Sequence, residues 1–357
     1  MTITKDLRVN RPEPIVSDIE VVFYKRKMDP KIAIEALLDG DFILIKDFYS
    51  SGLSLLSELK RYVKQQYSDN SFQGQRDFRS VYQDLSNKIL LDVSNNKLSV
   101  RKAPEIGWLN KLYPDLSDFA LPFPKVQGLN SAWQWYKKGI KIPILGEEIH
   151  PYFGTYFPTR FEHLELFEKW LKKYNGPKNL AIDIGVGSGI LSFQMLQHGF
   201  EKVIGTDTNP NAIIGLAEAI KENPKYSDLN LIHGDLFANS KVLSELIVFN
   251  PPWLPTIHNT TGLDTAIYYS SNLFSHFFIA AKKQLKPNGK VVLLFSNLAQ
   301  ITKVSESNPI EKEIAEGGRF KLDLLLKKPV KSASKKTKRN QNWRSSEVVE
   351  LWVLEHK

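Results

Sequence analysis

The sequence predicts an α/β fold: a mostly parallel sheet of seven strands with an antiparallel last strand, preceded by an α+β extension over residues 1–150. Three observations carry this. From Asn179 onward apolar strand-like runs alternate with helical patterns, which implies parallel strands joined by right-handed crossovers. A glycine-rich turn, Gly185-Val186-Gly187-Ser188-Gly189, follows the first of these strands. The last two strands are linked by an irregular basic stretch instead of a helix, which makes them an antiparallel pair.

A chain of 357 residues with 42% hydrophobic content can build two cores, and the expected division is an N-terminal α+β domain over 1–150 and a second domain over 151–357. No apolar run approaches the roughly 18 residues of a membrane span, and the first residues lack the apolar segment of a secretory signal, so a soluble, cytoplasmic protein is expected. The absence of cysteine excludes disulfides, thiolate nucleophiles and cysteine-ligated metals. The 7 histidines show no metal-ligand spacing, and no metal is expected. The net charge of +9 favours anionic partners, and its location is informative. Between Lys327 and Ser346 lie eight basic residues, among them Lys335, Lys336, Lys338 and Arg339, and no acidic one.

In chain order, residues 1–15 read as a polar arm. Asp29-Pro30 starts a helix that Gly40 ends, because glycine takes left-handed geometry without a Cβ penalty. Phe42–Lys46 reads as a strand and Ser51–Tyr67 as an amphipathic helix with Leu53, Leu56, Leu59 and Val63 inward. Strands 89–93 and 98–101 flank Ser94-Asn95-Asn96 as a hairpin. The stretch 114–158 is rich in proline and aromatic residues and reads as a packing surface, except for Phe153–Arg160, which is expected to line a pocket. Phe161–Lys172 is a helix. The core strands fall at 179–184, 202–207, 229–233, 245–249, 290–296, 320–326 and 348–354, with helices near 188–198, 210–222 and 268–285, a turn at 286–289 and a helical segment at 310–316. If strand 320–326 runs parallel to the core, the basic stretch leaves the edge of the sheet where open α/β folds bind ligands.

The glycine turn lets the backbone approach a ligand, and the helix after it offers free N–H donors. Its spacing is G-x-G-x-G, because Ile190 stands where the dinucleotide fingerprint wants glycine. Asp183 just before it would repel a pyrophosphate and welcome a cationic ligand. Asp207 ends the next strand, where a carboxylate can accept hydrogen bonds from ribose hydroxyls. These residues resemble the first motif of class I S-adenosylmethionine-dependent methyltransferases, over roughly residues 150–357. The resemblance implies a Rossmann-like methyltransferase sheet with S-adenosyl-L-methionine as cofactor. It further implies that Gly185, Gly187 and Gly189 pack under that cofactor, that Asp183 lies near its amino-acid moiety, that Asp207 binds its ribose and that Asp235 sits beside its adenine.

At the end of the fourth core strand stands Asn250-Pro251-Pro252-Trp253. Two prolines fix φ and remove two donors, so the loop is rigid and presents carbonyls. That suits a planar NH₂ group: the Asn250 side-chain oxygen and the Pro251 carbonyl accept its hydrogens, and Trp253 stacks on it. The pattern resembles the signature of amino N-methyltransferases, including adenine-N6 and guanine-N2 enzymes and the HemK-like glutamine enzymes of release factors. Phe157-Pro158-Thr159-Arg160 is similar to a segment of the glutamine and small-domain ribosomal RNA enzymes. Trp253 departs from the tyrosine or phenylalanine usual there. The expected catalytic residues are Asn250, Pro251, Pro252 and Trp253, with Asn250 also near the cofactor. The expected substrate contacts are Tyr156, Phe157, Arg160, Trp253, Lys335, Lys336, Lys338 and Arg339. The expected reaction is methyl transfer to a planar nitrogen of RNA, DNA or a translation-related protein, with RNA foremost. A small-molecule acceptor and a non-catalytic RNA- or protein-binding module are the alternatives.

Overall fold

The computed structural model describes residues 7–67, 72–256, 266–331 and 346–357. They divide into two compact units: Arg11–Lys138, and Gly139–Lys357 together with the described end of Met1–Asn10. The division falls at Lys138/Gly139, ahead of position 150.

Within Arg11–Lys138 the order is β1 (Val21–Tyr24), α1 (Pro30–Asp39), β2 (Phe42–Ile45), α2 (Tyr49–Gln66), α3 (Phe72–Ser86), β3 (Ile89–Ser94), β4 (Lys97–Leu98), α4 (Trp108–Leu112), β5 (Asp118–Pro122) and α5 (Phe123–Lys138). Strands β1, β2 and β3 are parallel, and β4 and β5 run antiparallel to β3. The Asp29 side chain accepts the Lys31 N–H at 3.0 Å and Gly40 closes α1 at φ 106°, as their residue types require. Asn95 and Asn96 both take positive φ in the β3–β4 turn, where asparagine tolerates left-handed geometry. The second hairpin strand is Lys97–Leu98 and not 98–101, and two further expectations change. Leu53 is exposed and Leu55 takes the inward position on α2. The proline-rich stretch contains a 16-residue helix, α5, because Pro124 lies in the first turn, where its missing N–H has no intrahelical partner to lose.

The larger unit begins with a hairpin, β6 (Ile140–Ile142) and β7 (Glu147–Ile149), followed by α6 (Glu162–Leu171). Then come β8 (Leu180–Ile184), α7 (Ile190–Gln197), β9 (Lys202–Asp207), α8 (Pro210–Glu222), β10 (Leu229–His233), β11 (Ser244–Phe249), β12 (Leu254–Pro255), β13 (Tyr268–Tyr269), α9 (Leu273–Gln284) and β14 (Leu285–Ser296). Short helices α10 (Leu298–Ile301) and α11 (Pro309–Lys312) precede β15 (Phe320–Pro329) and β16 (Val348–His356). The main sheet has seven strands in the order β10-β9-β8-β11-β14-β16-β15. Only β16 opposes its neighbours, pairing antiparallel with both β14 and β15. The chain is thus the α/β fold that the alternating pattern predicts, and the last strand inserts between the two before it.

The central strands are apolar on both faces because helices cover both, as in parallel sheets generally; every residue of β11 is buried. One core cluster gathers Leu164, Phe167, Ala181, Val203, Ile213 and Val248, and the other gathers Ile182, Ile247, Phe277, Val291 and Leu293. Three boundaries differ from expectation. Tyr268–Tyr269 pair with Leu254–Pro255 as a two-stranded parallel ladder, so the helix begins at Leu273. Residues 286–289 form an irregularity inside β14, where pairing jumps from Ser244↔Leu285 to Leu246↔Lys290. Beyond Lys312 the helical segment 310–316 widens into a π turn, Glu313–Gly317. At the other end of this unit, the expected arm is fastened by Asn211, which exchanges hydrogen bonds of 2.7 Å with the Asn10 backbone. Among the described residues no helix is long and apolar enough to cross a membrane.

Candidate active site

At the C-terminal ends of β8, β9 and β11 lies a cavity of about 660 Å³. Open α/β sheets place their ligands at this edge, where the crossovers diverge to either face. The glycine loop forms its floor. Gly185 (φ 68°) and Gly187 (φ 51°) line the cavity, and a Cβ on Gly187 would lie 3.6 Å from the Tyr156 carbonyl. Gly189 does different work. It is outside the lining, and a Cβ there would meet Leu216 at 2.6 Å and Phe193 at 3.0 Å, so its small size serves helix packing.

Asp207 closes β9 and lines the cavity. Its Oδ2 accepts the Gly187 N–H and its Oδ1 accepts the Asn209 N–H, both at 2.8 Å, so the carboxylate braces the glycine loop while keeping lone pairs for hydroxyl donors. Burial raises its pKa, and the two backbone N–H groups pull against that shift. Asp235 also lines the cavity, after Gly234. Asp183 does not. It is buried beneath the loop, where its Oδ2 accepts the Ser192 hydroxyl at 2.6 Å and its Oδ1 has no hydrogen-bond partner among the described residues. Burial pushes its pKa up to about 7.

The segment before α6 forms a wall. Asn209 Nδ2 donates to the Gly154 carbonyl at 2.8 Å and Asn211 Nδ2 to the Phe153 carbonyl at 2.7 Å, fixing Gly154, Thr155 and Tyr156 against the cavity. Thr155 was missed by sequence reasoning, although it lies in the pocket-forming stretch. It is 5% exposed, and its Oγ1 has no partner among the described residues. Phe157 and Arg160 are placed elsewhere: Phe157 packs on the core, and Arg160 pairs with the buried Glu347 at 3.1 Å. Lys335, Lys336, Lys338 and Arg339 lie outside the described residues. The described N-terminal end of that basic stretch is fastened to α6, Lys328 to Glu165 and the Lys331 N–H to Glu162. Because β15 runs parallel to the core, this end emerges at the edge that carries the glycine loop.

Asn250, Pro251, Pro252 and Trp253 all line the cavity. The Trp253 indole N–H is shared between Asn250 Oδ1 and the Leu294 carbonyl, 3.3 Å each. Its ring meets His163 edge-on at 5.8 Å; His163 is buried, and burial lowers its pKa to about 4, so it is neutral. Ile267, Tyr268, Tyr269, Leu273 and Leu298 complete this end. None of these was a sequence-level candidate, since their role depends on the β12–β13 ladder bringing the chain back to the mouth. Among the described lining residues the only side chains with a carboxylate or a cationic group are Asp207 and Asp235, both at the glycine-loop end.

Residues 165–322 match the family model of the methyltransferase small domain. A protein of Methanocaldococcus jannaschii, named as a protein N5-glutamine methyltransferase, is 29% identical over 158 residues, 42% of this chain and 75% of that one. The ribosomal protein L11 methyltransferase of Thermosipho africanus is 39% identical over 88 residues, 24% of this chain and 32% of the relative, so the match spans only about a third of that protein. Among solved structures, the ribosomal protein L11 methylase of Lactobacillus delbrueckii subsp. bulgaricus superposes with a TM-score of 0.40 and 18% identity, over 61% of this chain and 90% of that one. The cavity fits the cofactor of such enzymes: two glycines held at positive φ line its floor, Thr155 offers a hydroxyl without a partner among the described residues, and Asp207 lines the same space. Residues 165–322 are thus similar to the methyltransferase small domain, and the chain is an S-adenosylmethionine-dependent methyltransferase.

Proposed function

We propose that the chain methylates a neutral, planar NH₂ group of a macromolecule. The observation that carries this is the meeting of Asn250-Pro251-Pro252-Trp253 with Gly185, Gly187 and Asp207 in one cavity. S-adenosylmethionine, when bound, supplies an electrophilic methyl group. Gly185, Gly187, Asp207 and Asp235 hold it, Thr155 adds a hydroxyl, and Asp183 supports the loop from below. Asn250 Oδ1 and the Pro251 carbonyl accept the two hydrogens of the acceptor nitrogen. This aims its lone pair and stabilises the positive charge that develops there. The nitrogen would gain the methyl group as the S–CH₃ bond breaks and leaves its electron pair on sulfur as a neutral thioether, and the nitrogen would shed one proton to solvent.

The acceptor end supports a neutral substrate. An ammonium group would enter beside Tyr268, Tyr269, Leu273 and Leu298 with no described carboxylate there to pair with it. Desolvating an unpaired charge is costly. An amide or a nucleobase amino group enters without that cost. The relatives' named substrates, a protein glutamine and a ribosomal protein, support a macromolecule, and the charge of +9 favours RNA or an RNA-bound protein. Tyr156 and Trp253 are proposed to border the acceptor. Residues 11–138 are proposed to add substrate contacts, with Lys335, Lys336, Lys338 and Arg339 as phosphate-binding candidates. The cytoplasm is the proposed location, because ribosomal components are met there.

The test is transfer of tritiated methyl groups from S-adenosylmethionine into fractionated cell extract, followed by nuclease or protease digestion. Label should enter the macromolecular fraction and be released by one of the two treatments. Label found only in small molecules would refute the macromolecular reading.

A further inference from the structure

We infer that Trp253 is a positioning residue, whose indole N–H fixes the orientation of the Asn250 side-chain amide so that oxygen, and not nitrogen, faces the acceptor. This rests on the proposed role of Asn250. A planar amide has two nearly isosteric orientations that exchange oxygen for NH₂. Only one presents an acceptor to a substrate NH₂ group; the other sets donor against donor.

The structure selects between them. Ladder pairing between β11 and β14 ends at Phe249↔Leu293, one residue short of Leu294. The Leu294 carbonyl instead takes the Trp253 N–H at 3.3 Å, and the same N–H reaches Asn250 Oδ1 at 3.3 Å. Flipping the amide would turn its NH₂ toward an N–H already anchored on a rigid central strand. The indole itself is held in place, packed against both core clusters and edge-on to the buried His163. One lone pair of Asn250 Oδ1 is engaged by the tether, and the second is left for the acceptor. A phenylalanine at this position could pack and stack but has no N–H to donate, so this device belongs to tryptophan.

Trp253→Phe keeps an aromatic ring and removes the donor. With tritiated S-adenosylmethionine, and total cellular RNA or ribosomal protein as acceptor probe, kcat should fall roughly tenfold while cofactor affinity is unchanged. The same replacement is then made in the Asn250→Asp background, where the two carboxylate oxygens are equivalent and no flip exists to prevent. There the loss should shrink to about twofold or less. Equal losses in both backgrounds would mean that Trp253 acts by packing alone and would overturn the proposal, as would full activity of the single variant. A second readout needs no turnover: the Trp253 indole ¹H–¹⁵N resonance should move on Asn250→Ala. An unmoved resonance overturns the tether. Failure of the unsubstituted enzyme to label either probe would count against the macromolecular reading, and the resonance would still decide the tether.

Discussion

The two ends of the cavity are built from different materials. At the glycine-loop end, backbone and carboxylates do the work: Gly185 and Gly187 yield space, while Asp207 holds the loop through two N–H groups and still faces the cavity. At the other end the described lining carries no ionised side chain. Prolines, tyrosines and one tryptophan surround a single amide, Asn250. The contrast separates binding from chemistry. On the proposed reading, a cofactor with hydroxyls and a positive sulfonium would be met by acids, and a neutral acceptor by carbonyl oxygens and aromatic faces.

Replacements at either end should therefore fail differently. Asn250→Ala should lower kcat by about 100-fold or more, the cost of losing a preorganised acceptor at developing charge. Its cofactor affinity by calorimetry should stay within about threefold, since the opposite end carries binding; a larger loss of affinity would blur the division. Asp207→Ala should weaken S-adenosylmethionine binding by roughly 10- to 100-fold, from lost charged hydrogen bonds and a loosened Gly187. Turnover at saturating cofactor should largely survive. Tyr268→Ala, at the acceptor mouth, should raise the acceptor KM by roughly three- to tenfold, with the cofactor dissociation constant unmoved.

The mildest test concerns Asp183, which lies beneath the loop without lining the cavity. Burial pushes its pKa up to about 7 from an ordinary carboxylate value. The folded state therefore holds a proton that the unfolded chain releases, and stability present at low pH is lost as pH rises toward 7. An asparagine amide in its place cannot ionise, so the urea midpoint of Asp183→Asn relative to the unsubstituted protein should rise between pH 5 and pH 8. Comparing the two proteins cancels His163, whose lowered pKa gives the opposite slope. A constant difference across that range would mean that Asp183 is ionised in the fold throughout.

Much of the fold was legible because local signals agreed with tertiary structure. Strand β8, the glycine loop, Asp207 at the end of β9 and Asn250 at the end of β11 are each announced by a short pattern with a mechanical reason. What failed locally were features set by distant partners. Tyr268–Tyr269 carry apolar periodicity that fits a helix start, and their pairing with Leu254–Pro255 overrides it. Helix α5 was hidden by the prolines around it, though Pro124 falls where a helix tolerates one.

The sequence by itself determined which residues end the core strands at the cavity: Gly185 and Gly187 after β8, Asp207 at the end of β9, and Asn250, Pro251 and Pro252 after β11. Residue type and spacing suffice for these, because each works within one turn. Which candidates face the cavity was decided only by the tertiary structure. Gly189 and Asp183 turn into the packing beneath the loop, and Arg160 is drawn to Glu347. Thr155 is swung inward by Asn209 and Asn211. A side chain's direction depends on the neighbour across the fold that satisfies it, and for Arg160 that neighbour is 187 residues away.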